Sequence, residues 1–372
     1  MSSISEIRLK PDIHWVKKYD SWILRNPVDV TYIEVENDFT KSTIDDITEL
    51  PIPVAMQKQR LSIAEVHSIL NELASKGMLV GTKPPEPTKR KFTPLDLLYM
   101  RFSLINPDVW LTKHVDKLRW VWTKFTGLFL LAFLVFTGVL AIDRYPDILL
   151  TGKNLMATEG GNLLLPFVLL TIVVVSLHEL AHAFTLKHYG GIVPDMGVFL
   201  MLLIPACYTN TSDSYALKKH QEVLVIGAGI ICQILIAAFA LFVWNVTDPV
   251  SSLHSTAYIL MVAALFTVAL NLNPLSGGFD GYHLTVALTG IYNLRSRSRL
   301  FYLQLIKRHP LDEDDNYVRW VLAIYAPLSL AYVVFVFTFL IWAIVSWTGL
   351  NIPAIAIILL IIWSIYFFAP KN

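Results

Sequence analysis

Charged side chains are scarce in this chain of 372 residues: 16% are Asp, Glu, Lys or Arg, against roughly 25% in soluble domains, while 55% are hydrophobic. Mean hydropathy is +0.54. Long uninterrupted apolar stretches cause the shortfall, which excludes an ordinary soluble chain and predicts a polytopic membrane protein. Cysteine is nearly absent. Cys207 and Cys232 both sit in apolar settings, which excludes a disulfide framework and any Cys-type zinc spacing. The net charge of +1 carries no basic surplus to attract nucleic acid. The opening MSSISEIRLKPDIHW has no apolar signal region, so insertion is expected to use internal spans. Internal repeats and low-complexity tracts are also missing.

The expected fold is mainly α: a polytopic helical membrane protein of about six spans behind a small N-terminal winged-helix-like α/β domain. Residues 1–81 make the cytoplasmic domain, 82–124 a linker and interfacial helix, and 125–372 the transmembrane domain. Within the first, Thr31–Val35 (TYIEV) reads as a strand and Ser62–Lys76 as a helix, with Ile63, Val66, Ile69, Leu70 and Leu73 at helical spacing. Gly77 is a helix stop, and Met78–Val80 reads as a short closing strand. Gly81–Lys91 (GTKPPEPTKRK) is a proline-rich linker. Asp108–Lys124, with Trp110, Trp120 and Trp122 among basic residues, suits a helix lying at the bilayer interface.

The predicted spans are Phe125–Ile142, Asn162–Phe184, Val223–Trp244, Ser255–Leu272, Trp320–Trp347 and Ile352–Phe368. Lysine and arginine cluster before the first, between the second and third, between the fourth and fifth, and after the sixth. The opposite loop Asn245–His254 has neither residue. The positive-inside rule then places both termini in the cytoplasm.

His178-Glu179-Leu180-Ala181-His182 interrupts the second apolar run. On a helix, H-E-x-x-H sets two imidazoles one turn apart on one face, where they can hold zinc, with the glutamate beside them to act on a bound water. Ionisable groups at membrane depth are costly and therefore functional suspects. A catalytic zinc usually takes three protein ligands. His188 completes a metzincin-like spacing, but Thr185 stands where that pattern has the glycine that lets the chain turn back. On a continuing helix His188 lies about 240° around the axis from His182 and faces elsewhere. Asp280 is the better third ligand. It follows the fourth span in NLNPLSGGFDG (Asn271–Gly281), at the same membrane depth, where Pro274 and the glycines let backbone bend into a cavity. Read alone, that stretch is an ordinary turn; beside the histidines it completes a His₂-carboxylate set.

HELAHAF, then Tyr189-Gly190-Gly191, GVFLMLLIP (Gly197–Pro205), Ser212-Asp213 and NLNPLSGGFDGYHL (Asn271–Leu284) together resemble the site-2 protease family of intramembrane zinc metalloproteases. Its bacterial branch of peptide zinc metalloproteases is the most similar, and the resemblance runs over most of the chain. It implies Zn²⁺ held by His178, His182 and Asp280, with Glu179 as catalytic base and Asn271 near the substrate or oxyanion. The stretch from Pro274 to Asp280 is one residue longer than the family pattern, and Gly277-Gly278 can absorb the insertion. Gly197–Tyr215 reads as a re-entrant or interfacial loop near the site, or else a surface helix. Asp213 is expected to cap the helix that follows, with a part in holding the site as the alternative. Gly227, Gly229 and Gln233 read as close helix packing in the third span.

The function expected from these features is hydrolysis of a peptide bond in a membrane-embedded or small, ribosomally made peptide, by a multi-pass protein of a bacterial cell membrane. The N-terminal domain resembles modules that take a peptide as an added strand, with a plain structural or regulatory domain as the alternative, and its near-balanced charge argues against a DNA partner. The competing expectation is a non-catalytic export or immunity component that keeps a structural metal site.

Overall fold

The structure, a computed structural model, describes residues 7–18, 21–35, 37–84, 99–201, 204–307 and 315–351, together with 357, 358, 361, 362 and 364. Strands β1 (His14–Lys18), β2 (Ser21–Asn26) and β3 (Thr31–Val35) form an antiparallel meander in the order β1-β2-β3. Pairing of Trp15 with Leu24 and of Leu24 with Ile33 puts alternate side chains on one face. There Leu24, Ile33 and Val35 pack with Ile44 of α1 (Asp38–Glu49), Leu73 and Met78. Helix α2 (Ile52–Gln59) follows, then α3 (Ile63–Ser75), which opens on a reciprocal Ser62–Glu65 capping box. The predicted strand and helix here are present. The predicted closing strand is reduced to a single antiparallel bridge, Leu9 to Leu79.

Most of the predicted linker, residues 85–98, lies outside the described residues. Strand β4 (Tyr99–Ile105) follows it. The predicted interfacial helix is two pieces, α4 (Asp108–Val115) and a 3₁₀ stretch at Asp116–Trp122. Five helices of the described residues are long and apolar enough to cross a membrane. They are α5 (Lys124–Asp143), α7 (Leu164–His188), α8 (Lys219–Val246), α9 (Ser252–Asn271) and α12 (Asn316–Asn351). A shorter helix, α6 (Tyr145–Thr158), joins α5 to α7 and has no buried residue. The predicted sixth span, 352–368, lies largely outside the described residues.

Apolar side chains point outward along these helices. Phe125 is 81% exposed and Ile142 78%, a surface that water would not tolerate and lipid tails would. Where α7, α8 and α9 meet, the contact is built of small residues. Ala237 of α8 and Ala264 of α9 meet Val174 of α7, which lets the three backbones approach closely. Among the spans, α8 and α9 are the most buried.

The region expected to be a re-entrant loop is a β-hairpin. Strands β5 (Met196–Met201) and β6 (Ile204–Thr209) pair with each other, and β5 pairs with β4. A continuous apolar run without alternation does not distinguish a strand from a buried helix. Here β4, nearly 100 residues upstream, supplies the partner edge. Arg101 of β4 lies 4.0 Å from the Tyr208 ring centre and pairs with Asp195 at 2.7 Å, fastening the sheet at one end.

Ala264 is fully buried between three helices. Ala264→Leu should therefore cost about 1–3 kcal/mol by overpacking. A lowered midpoint in a denaturant titration of the full chain in detergent is the expected result, and an unchanged midpoint would show that the trio is not close-packed.

Candidate metal centre

Helix α7 carries both histidines near its C-terminal end, on the side that meets α8. His178 is 3% exposed and His182 5%. Their Nε2 atoms stand 3.0 Å apart. Asp280, the first residue of α10 (Asp280–Thr289), brings Oδ2 to 3.0 Å from Nε2 of His178 and 3.2 Å from Nε2 of His182. Among the described residues these form a cluster whose ligand atoms all lie within 4.8 Å of one another. The longer Pro274–Asp280 stretch does not keep Asp280 away. Its backbone is braced by Tyr325 of α12, whose hydroxyl donates to the Pro274 carbonyl at 3.0 Å.

The hydrogen bonds around the cluster say what it can hold. His182 Nδ1 lies 2.7 Å from the Val225 carbonyl of α8. A carbonyl only accepts, so Nδ1 carries the proton and a neutral His182 turns the Nε2 lone pair into the cluster. His178 Nδ1 is buried without a hydrogen-bond partner. Two imidazole nitrogens and a carboxylate oxygen this close repel unless a proton or a metal cation lies among them. The separations approach the ~3.3 Å edge of a tetrahedron with arms of about 2.0–2.1 Å, the arrangement zinc prefers with nitrogen and oxygen donors. The residues present fit such an ion.

One stripe of α8, at Val225, Gly229 and Gln233, serves this site at helical spacing. Val225 supplies the carbonyl. Gly229 lies directly against the imidazoles, and a β-carbon there would overlap both His178 and His182. Gln233 is fully buried and accepts a hydrogen bond from Asn271 Nδ2 at 3.2 Å. Gly227, read in the sequence as equivalent to Gly229, faces open space. The two glycines cannot be told apart until the helix has a neighbour.

Glu179 is half-buried and stands outside the cluster of ligand atoms. Its backbone carbonyl accepts from Thr209 Oγ1 at 3.0 Å, which ties α7 to the end of β6. Burial pushes the Cys207 thiol of β6 up, Ser176 opposes this, and the negative charge of Glu179 adds to the rise. His188 is stacked on Trp122 at 4.4 Å, away from the cluster, as the helical rotation requires.

Two carboxylates hold the end of α7. Asp108 accepts from Lys187 Nζ at 2.8 Å and from the Val193 amide at 3.0 Å. Asp213 accepts from the Ile192 amide at 2.7 Å and pairs with Arg25 of β2. Asp213 does not cap the following helix. It is 2% exposed, and α8 begins after Lys218. These partners are far apart in the chain, and no local signal announces them.

A protein of Bacillus subtilis (strain 168), named "Putative peptide zinc metalloprotease protein YydH", is similar to this chain. It is 25% identical over 184 residues, 48% of this chain and 70% of that protein. No family model matches the chain, and no solved structure does.

Gly229→Ala should weaken Zn²⁺ or Co²⁺ binding by roughly 10–100-fold, as loss of support around metal ligands usually does. Gly227→Ala, two residues away, should leave affinity unchanged. Isothermal titration of both variants separates them, and equal affinities would show that the imidazoles do not need the space.

Proposed function

We propose that this chain is an integral membrane zinc metalloprotease that cuts a peptide at the cytoplasmic end of its helices. The observation that carries this reading is the meeting of His178, His182 and Asp280 from two separate helices, with Glu179 next to the first ligand. The likeness to a protein named as a peptide zinc metalloprotease supports proteolysis. The five apolar helices support a membrane setting.

Bound zinc would lower the pKa of a water toward ~7 and polarise a peptide carbonyl. Glu179 would take the proton from the attacking water and pass it to the leaving amine. The Asn271 amide has two N–H donors. Gln233 takes one, which fixes the side chain and leaves the other for the developing oxyanion. Strand β6 is an edge of its sheet, and its last residue is bonded to Glu179. A substrate segment that leaves its helical form would find backbone partners there, beside the base.

The lysine and arginine pattern supports a site and both termini on the cytoplasmic side of a bacterial membrane. Helix α11 (Leu294–Lys307), with Arg295, Arg297 and Arg299, belongs to that side. In the N-terminal domain a groove of about 340 Å³ runs beside edge strand β3, lined by Ile33, Val35, Ile44, Ile69 and Leu73 with Glu34 and Glu72. An extended peptide added to β3 could fill it, which is the role we assign to this domain in substrate recognition.

Glu179→Gln tests the reading. The variant should bind as much zinc as the parent, by elemental analysis, and cleave a panel of fluorogenic membrane-spanning peptides about 10²–10⁴-fold more slowly. His182→Ala and Asp280→Ala should lose zinc and activity together. Undiminished cleavage by Glu179→Gln would end the assignment of Glu179 as the base, and a zinc-loaded parent that cleaves none of the panel would end the protease reading. Retention of full zinc content by both ligand variants would end the metal assignment.

A further inference from the structure

We propose that Arg25 is a positioning residue of the metal centre, through which the N-terminal domain holds the end of the metal-binding helix. This rests on the metal reading proposed above. Arg25 stands on the face of β2 opposite the domain's own core, next to Tyr32 in the sheet register. It is nevertheless buried, because its guanidinium reaches residues about 165–188 positions later in the chain. Nε donates to Asp213 Oδ1 at 2.9 Å, Nη2 makes a second bond to Oδ2, and Nη2 also reaches the Gly190 carbonyl at 3.3 Å.

Both targets belong to the way α7 stops. Gly190 sits at φ +78°, its amide bonded to the Lys187 carbonyl, while the Gly191 amide bonds to Leu186. That is the glycine-terminated turn that closes a helix, and a side chain at Gly190 would be strained. Asp213, held by Arg25, accepts the next free amide, Ile192. The turn begins two residues after His188 and two helical turns after His182. A second contact lies on the same sheet face. Tyr215 donates to Glu34 of β3, packs on Tyr32 at 4.8 Å, and meets Tyr292 at 5.0 Å, just beyond the helix that starts with Asp280. The outer face of the N-terminal sheet therefore grips the chain segment that follows α7 and, through Tyr215, reaches the one that follows α10. Lysine in place of Arg25 could pair with Asp213 but lacks the planar fork that serves Asp213 and Gly190 together.

The test uses the full chain in detergent, with Co²⁺ as the probe ion and two readouts. Amide hydrogen exchange over residues 186–193 reports the helix end, and the visible absorption of Co²⁺ reports affinity and coordination. Arg25→Ala should speed exchange, weaken Co²⁺ binding roughly tenfold and change the visible band, with Arg25→Lys in between. Should Arg25→Ala fail to fold, Tyr215→Phe removes only the hydroxyl held by Glu34, and a smaller shift in the same direction is expected. Faster exchange with Co²⁺ affinity and spectrum unchanged would overturn the proposal, leaving a plain docking contact. Unchanged exchange would overturn it as well. A parent chain that binds no Co²⁺ would instead remove the metal reading, and this inference with it.

Discussion

Two imidazole nitrogens and a carboxylate oxygen, packed within 3.2 Å between apolar helices, form an arrangement that needs a proton or a metal cation among them. Much of the surrounding structure answers that requirement. Helix α8 gives up a side chain at Gly229 so that the rings can fit, and turns the Val225 carbonyl to fix the His182 tautomer. Helix α9 stops at Asn271, and the following loop is braced by Tyr325 so that Asp280 arrives at the right depth. Small residues along α8 and α9 bring the backbones near enough for these groups to meet.

The same helix needs a well-defined end, because a frayed last turn would loosen the ligands above it. Consecutive amides, Ile192 and Val193, are each taken by a carboxylate that also holds a cation: Asp213 with Arg25, and Asp108 with Lys187. Leaving Asp213 without Arg25 would strand a buried charge, a loss of about 3–5 kcal/mol in comparable cases, whereas Asp108 is partly exposed to solvent. Beside this end lies the β4–β5–β6 sheet, bonded to Glu179 through Thr209. The two histidines, Glu179, the contact with β6 and the helix stop thus share one short stretch of α7.

Much of this was legible in the sequence. The spans show as long charge-free runs because a lipid-facing helix is apolar on every side. The H-E-x-x-H pair is legible because four residues on a helix always return to the same face, whatever surrounds it. The same rotation placed His188 elsewhere, and it stacks on Trp122. The hairpin was not legible, since an apolar run with no alternation carries no period to read, and its partner strand β4 lies nearly 100 residues upstream. Asp213 looked like a helix cap because aspartate before a helix usually is one; its actual partner is Arg25, 188 positions away.

The sequence by itself determined a membrane protein of helices, the two histidines and their glutamate on one turn, and an acidic residue in a broken loop after a later span. All of these follow from local periodicity and from the cost of burying charge in lipid. Tertiary structure alone decided that Asp280 reaches the histidines, that Gly229 rather than Gly227 faces them, and that an arginine of the N-terminal sheet secures the helix end. Those are contacts between segments far apart in the chain, set by how close the backbones can approach, and no spacing within one segment encodes them.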